Sequence, residues 1–250
     1  ASNNTAVGKD ALNDNTTGEF NTAVGAFALD ANTTASSNTA VGYGVLGANT
    51  TGNSLTAVGQ GALVNNTTAN DNTAMGQGAL NANTTGASNS AFGRHALVAN
   101  TTGAENTAVG AIALDANTTG ARSTAVGHNA LSTITTESDC TAVGHDSLLN
   151  TTGQRNTAIG SYSGGLNSTG EYNTFLGYAT GYGNTTTSAN TGVGYLSLYS
   201  NQAANNTAVG SEALKSNTSG SENTAVGKEA MKANTTGINS VAVGVTALLN

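Results

Sequence analysis

Few side chains in this sequence are equipped for chemistry. There are three histidines, His95, His128 and His145, and one cysteine, Cys140. An imidazole can bind a metal or move a proton near neutral pH. His128 and His145 stand at the same place in consecutive copies of a repeated unit. Such a pair invites a metal reading, but a zinc site needs at least a third protein ligand, and the sequence offers no obvious one. The acidic residues, among them Asp10, Asp30, Glu105, Asp115, Asp146, Glu212 and Glu229, are scattered through variable positions. They do not form the Gly-Gly-x-Gly-x-Asp pattern of calcium-binding solenoids. A glycosidase needs two converging carboxylates, and no such pair stands out. No phosphate loop, nucleophile elbow or zinc motif is present. The expectation is a non-catalytic chain with no cofactor and no metal.

The second feature is aromatic. Six of the chain's seven tyrosines, Tyr162, Tyr172, Tyr178, Tyr182, Tyr195 and Tyr199, fall between residues 160 and 199. A tyrosine presents an apolar ring and a polar tip, so a cluster of them can contact carbohydrate or protein. The same stretch loses a leucine twice, at Gly164 and Gly181. The competing reading is that the tyrosines and Leu166 refill the vacated space.

The elements that must carry these residues are repeats. Asn-Thr-Ala-Val-Gly, two variable residues, Ala-Leu, two more and Asn-Thr-Thr-Gly recur along all 250 residues. The register glycine falls at Gly8, Gly25, Gly42 and onward to Gly244. Nearly all the intervals between these glycines are equal, and the two that end at Gly160 and Gly210 are one position shorter. Such a period marks a stacked array rather than one globular core. A unit this short has no room for two helices, and Gly, Asn and Thr-Thr break any helix it could begin. Thr-Ala-Val alternates as a short strand should, with Thr and Val on one side and Ala on the other.

The expected fold is therefore all-β, a parallel β-solenoid or β-roll of about fifteen 17-residue coils. At about 4.8 Å per coil it would be a rod on the order of 70 Å long. Two apolar columns are expected to face inward: the Val before each register glycine and the Leu four positions after it. The opening Asn of each unit is expected to bond from coil to coil through its side chain. The Gly of Asn-Thr-Thr-Gly is expected to supply positive φ at the other turn. One Val and one Leu per coil is modest burial for a whole ordered unit. Close approach of copies across the small Ala and Gly faces is expected to supplement it, as a homo-oligomer, a trimer in the first instance. The array runs to both termini without a cap, which points to a segment of a longer protein.

Composition narrows the partners. Charged residues make up 8% of the chain, the formal net charge is −7, and only seven residues are basic. A nucleic-acid backbone is an unsuitable partner for such a surface. No long apolar stretch indicates membrane insertion, and no signal peptide is visible. A lone cysteine forms no intrachain disulfide framework, and Cys140 stands in the Asn column as a small substitute. Asn15-Thr16-Thr17, Asn32-Thr33-Thr34 and Asn49-Thr50-Thr51 match the N-glycosylation pattern. The repeat itself explains their recurrence, and the turn explains the Asn.

The Asn-Thr-Ala-Val-Gly and Asn-Thr-Thr-Gly motifs resemble repeats of large bacterial surface proteins and phage tail-fibre-like proteins. More loosely, they are similar to the head repeats of trimeric autotransporter adhesins, which form a left-handed parallel β-roll from shorter units. The resemblance spans essentially the whole chain. It implies a homotrimeric structural shaft or adhesive fibre in an extracellular setting, on a cell surface or a virion. Its contacts would be weak and multivalent, to carbohydrate or to a cell-surface protein. The alternative is an ice-binding solenoid, using the threonine ladder that begins Thr16-Thr17, Thr33-Thr34, Thr50-Thr51, Thr67-Thr68 and Thr84-Thr85.

Overall fold

The computed structural model describes residues 2–249 of the chain. They form an all-β parallel solenoid in which each repeat contributes one three-residue strand, fifteen in all among the described residues. Two compact units are distinguished, residues 1–123 and 124–250. Strands of the first run from Thr5–Val7 to Thr107–Val109, and those of the second from Thr124–Val126 to Val241–Val243. Within each unit consecutive strands pair in parallel and strictly in register, for the most part Thr on Thr and Ala on Ala: Thr39 pairs with Thr56, Ala40 with Ala57 and Val41 with Val58.

The strand alternates as the sequence predicts, but the inward face is the opposite of the one expected from the Val column. The alanines Ala40, Ala57, Ala74, Ala91 and Ala108 are fully buried. The residues beside them, Val41, Val58, Met75, Phe92 and Val109, point outward and are 36–40% exposed. The reason is the narrowness of the coil. The Leu column does face inward: Leu29, Leu46, Leu63, Leu80 and Leu97 have no exposed surface. A leucine and an alanine together fill the interior, leaving no volume for a second large side chain. The small Ala face is thus consumed inside each coil, and the outward Val column is the apolar surface that the coils leave exposed.

Leucine reaches the interior at a backbone cost. Leu29, Leu46, Leu63, Leu80 and Leu97 all adopt left-handed φ, between 50° and 53°. That conformation costs an L-residue about 1–2 kcal/mol, while burying the side chain returns about 1.5–3 kcal/mol. Burial offsets the strain at each coil. The Gly of Asn-Thr-Thr-Gly is not a positive-φ residue, contrary to expectation. It is small because the next coil is close: a Cβ at Gly52 would lie 2.3 Å from the Ala69 carbonyl oxygen.

Two columns of buried asparagines recur along the coils, the second interrupted by Ile134 and Thr151. In the first, as expected, each side chain ties neighbouring coils. The Asn38 amide donates to the Gly52 carbonyl at 3.0 Å, and its Oδ1 accepts from the Leu55 backbone N–H at 2.9 Å. Cys140 fits this column because its thiol makes the equivalent bond to the Gly153 carbonyl, at 3.4 Å. Burial pushes that thiol up to about 11, so it is no nucleophile at neutral pH. The second ladder comes from Asn-Thr-Thr-Gly. Asn49 donates to Asn32 Oδ1 at 3.2 Å and Asn66 to Asn49 Oδ1 at 2.9 Å. Asn32, Asn49 and Asn66 are fully buried. Their amide nitrogens are thereby closed to glycosylation in the folded chain.

The inverted faces give a direct test. Ala57→Leu should cost about 3 kcal/mol through overpacking, whereas Val58→Thr should change the stability of the single chain by less than about 0.5 kcal/mol. Denaturant unfolding of the two variants distinguishes this interior from one built on Val.

Candidate functional site: an aromatic groove in the second unit

The irregular coils repack their own interior before they build anything on the surface. Phe175 stands where the other strands carry Ala, save the next one with Gly192, and is fully buried. Gly164 and Gly181 replace Leu in the coils whose interior the ring enters. A Cβ at Gly181 would lie 2.3 Å from Phe175 Cε1, and one at Gly164 would lie 3.1 Å from Phe175 Cδ2. One phenylalanine therefore occupies the volume two leucines give up. The refilling expected of the tyrosines and Leu166 is done by Phe175, while Leu166 is 40% exposed.

The tyrosines are released to the surface. Tyr178 follows its register glycine directly, as does Tyr195, and Tyr162 lies one position further along. In-register stacking makes a ladder of them. The Tyr162 and Tyr178 rings meet edge to face at 6.0 Å, and Tyr178 and Tyr195 stack at 5.7 Å. A second, parallel ladder is set five positions after the glycine, where Tyr182 and Tyr199 stack at 5.5 Å. Gly165 precedes Tyr182 in this column and makes room for it: a Cβ there would lie 3.0 Å from Tyr182 Cε2.

Between the ladders runs an open groove of about 590 Å³, lined by Tyr162, Tyr178, Tyr182, Tyr195 and Tyr199 with Ala179, Leu196 and Lys215. Five of the six tyrosines singled out from the sequence thus converge. Tyr172 does not; it lies on another column, where Arg155 donates to its hydroxyl and sits 5.4 Å from its ring centre. Lys215 continues the Tyr182–Tyr199 column and brings the one cationic group of the groove lining. It pairs with Glu212 at 3.1 Å, and Lys232 reaches the same carboxylate. The Lys232 ammonium, then Lys215, holds the Glu212 carboxyl below its usual range.

Sequence reasoning missed Lys215 and a smaller counterpart in the first unit. There Phe27 and Tyr43 meet edge to face at 5.8 Å and line a depression of about 350 Å³. The signal was available, since both residues stand in the positions that carry Tyr162 and Tyr178, but without in-register stacking they do not read as a pair.

A β-solenoid with an aromatic groove is the class these features define. No protein-family model matches the chain, and no curated protein matches it either. Among the described residues no helix is long and apolar enough to cross a membrane.

Proposed function

We propose that this chain is a non-catalytic segment of an extracellular fibre, on a cell surface or a virion, whose aromatic groove holds a neutral glycan. The observation that carries this reading is the spacing of Tyr178 and Tyr195, whose rings repeat at 5.7 Å along the stack. Sugar rings have apolar faces that lie on aromatic rings while their hydroxyls reach polar tips. Two ladders with a lysine at one end offer both kinds of contact to consecutive sugars. The net charge of −7 disfavours a polyanionic partner. Each coil contributes little, and affinity accumulates through repetition along and between copies.

The fibre is a homo-oligomer, a trimer in the first instance, that covers the outward column of Val41, Val58, Met75, Phe92 and Val109. These side chains are 36–40% exposed and one coil apart, and a continuous apolar stripe of that kind is a docking surface. Sedimentation equilibrium tests the assembly: a monomer at all concentrations removes the trimer.

Glycan-array screening followed by calorimetry tests the groove. Tyr178→Ala with Tyr195→Ala should weaken the best neutral oligosaccharide about tenfold or more, since each aromatic contact is worth about 0.5–1.5 kcal/mol. Thermal unfolding should stay near that of the parent chain, because both residues are exposed. Unchanged affinity in the double variant would sink the glycan reading.

The ice-binding alternative retains one outward threonine column. Thr33 and Thr50 spend their hydroxyls on backbone carbonyls of the next coil, at 3.2 and 3.1 Å. Thr17, Thr34, Thr51, Thr68 and Thr85 stay exposed. Thermal hysteresis with ice shaping would favour that reading over the fibre.

A further inference from the structure

The aromatic ladder of the second unit ends in two histidines. His145 meets Tyr162 edge to face at 5.5 Å, and His128 stacks on His145 at 5.4 Å with the rings 11° from parallel. In-register stacking places both imidazoles at the same point of consecutive coils. The third group comes from the residue after His145. Asp146 lies above His128, to whose carbonyl its backbone N–H donates at 3.1 Å. Its backbone takes the left-handed φ, here 54°, that Phe27, His95 and Tyr162 take at the same position of their coils. Asp146 Oδ2 is 3.2 Å from His145 Nδ1. Its other oxygen, Oδ1, is buried and has no hydrogen-bond partner.

We propose that His128, His145 and Asp146 form a binding site for a divalent transition-metal ion of the zinc–copper class. One ligand atom from each residue falls within 4.8 Å of the other two. Tetrahedral bonds of about 2.0–2.1 Å place ligand atoms roughly 3.4 Å apart, so the site closes by a modest tilt of the rings. Both imidazoles are exposed and have freedom to tilt. Two imidazole nitrogens and one carboxylate oxygen suit zinc, copper or nickel, whereas calcium and magnesium prefer an all-oxygen shell. Solvent completes the coordination on the open side. Asp146 also keeps one carboxylate oxygen that no protein group satisfies. The sequence offered the histidine pair without a third ligand, because Asp146 is adjacent to His145 in the chain and joins His128 only through the stack.

Calorimetric titration of the whole metal-free chain with zinc chloride tests the site. One ion per chain should bind, copper should bind more tightly than zinc, and calcium should not compete. His128→Ala and His145→Gln should each weaken zinc at least about tenfold, and Asp146→Asn by a similar factor. His95→Ala, which removes the histidine of the first unit, should leave binding unchanged. Circular dichroism confirms that each variant keeps its fold. No zinc binding up to millimolar concentration overturns the proposal. So does equal loss in His95→Ala, which marks indiscriminate surface histidine binding, or undiminished affinity in Asp146→Asn. Glycan binding is measured on different residues, so either result stands apart from the other.

Discussion

Gly93→Ala should destabilise the chain by about 4 kcal/mol, combining backbone strain of about 1–3 kcal/mol with an overpacking cost of similar size. The φ of Gly93 is 137°, a region closed to residues with a Cβ. An added Cβ would also lie 2.5 Å from the Gly110 carbonyl oxygen and 2.6 Å from its carbon. These are backbone atoms of the next coil, so no rotamer change relieves the contact. The coils themselves must separate, and the Gly110 N–H bond to the Phe92 carbonyl, 2.8 Å long, is lost with them. In a stack each coil touches only its neighbours, so one spoiled interface divides the array rather than softening it evenly. Denaturant unfolding should show a lower midpoint and a broadened or split transition. Gly44→Ala is the control. Gly44 has φ of 63° and nothing within 4 Å of an added Cβ, and Phe27 and His95 already take similar φ at the matching position. Its cost should not exceed about 1–2 kcal/mol. Equal losses in the two variants would show that the contact between register glycines does not govern the stack.

Asn66→Asp should cost about 3 kcal/mol or more at neutral pH, although the side chain keeps its shape. The Asn66 amide donates to Asn49 Oδ1 at 2.9 Å and to the Ala69 carbonyl at 3.1 Å, while its own Oδ1 accepts from Asn83 at 3.1 Å. The residue has no exposed surface. A carboxylate would keep the acceptor and lose both donors, setting charge against two carbonyl oxygens in a dry interior. Its folded-state pKa would be raised above the unfolded value by burial and by those oxygens. A raised acid pKa means that the native state holds its proton to higher pH than the unfolded state does. The ionisation part of the penalty is therefore absent below the unfolded pKa, grows as pH rises, and levels off above the folded one. The difference in unfolding free energy from the parent chain should be smaller at pH 3 than at pH 7. A difference independent of pH would mean that the substituted side chain stays in water. The comparison must be made against the parent at each pH, because its 14 acidic residues have their own dependence.

Much of the architecture is legible from residue types. The repeat period, the three-residue strand, the inward Leu column and the coil-to-coil bonding of the opening Asn all follow from local pattern. The second Asn ladder escaped because Asn-Thr-Thr-Gly also makes sense as a plain turn. Nothing in a single copy shows that Asn32, Asn49 and Asn66 bond to one another. The candidate groove was half legible. Tyrosine clustering marked the region, but Tyr172 belongs to a different column, and Lys215 joins only through its place five positions after Gly210.

What the sequence determined by itself is the repeat and its alternation, since both are set by neighbours along the chain. Alternation divides Thr-Ala-Val into two faces without saying which is inside. That choice fell to the tertiary structure, because interior volume is shared between a strand and the turn across the coil. Leu takes most of it, so Ala goes in and Val goes out. Where Gly164 and Gly181 surrender it, Phe175 enters and the surrounding tyrosines are left outside. The same stacking, not any local motif, brings Asp146 to His128, which belongs to the preceding coil.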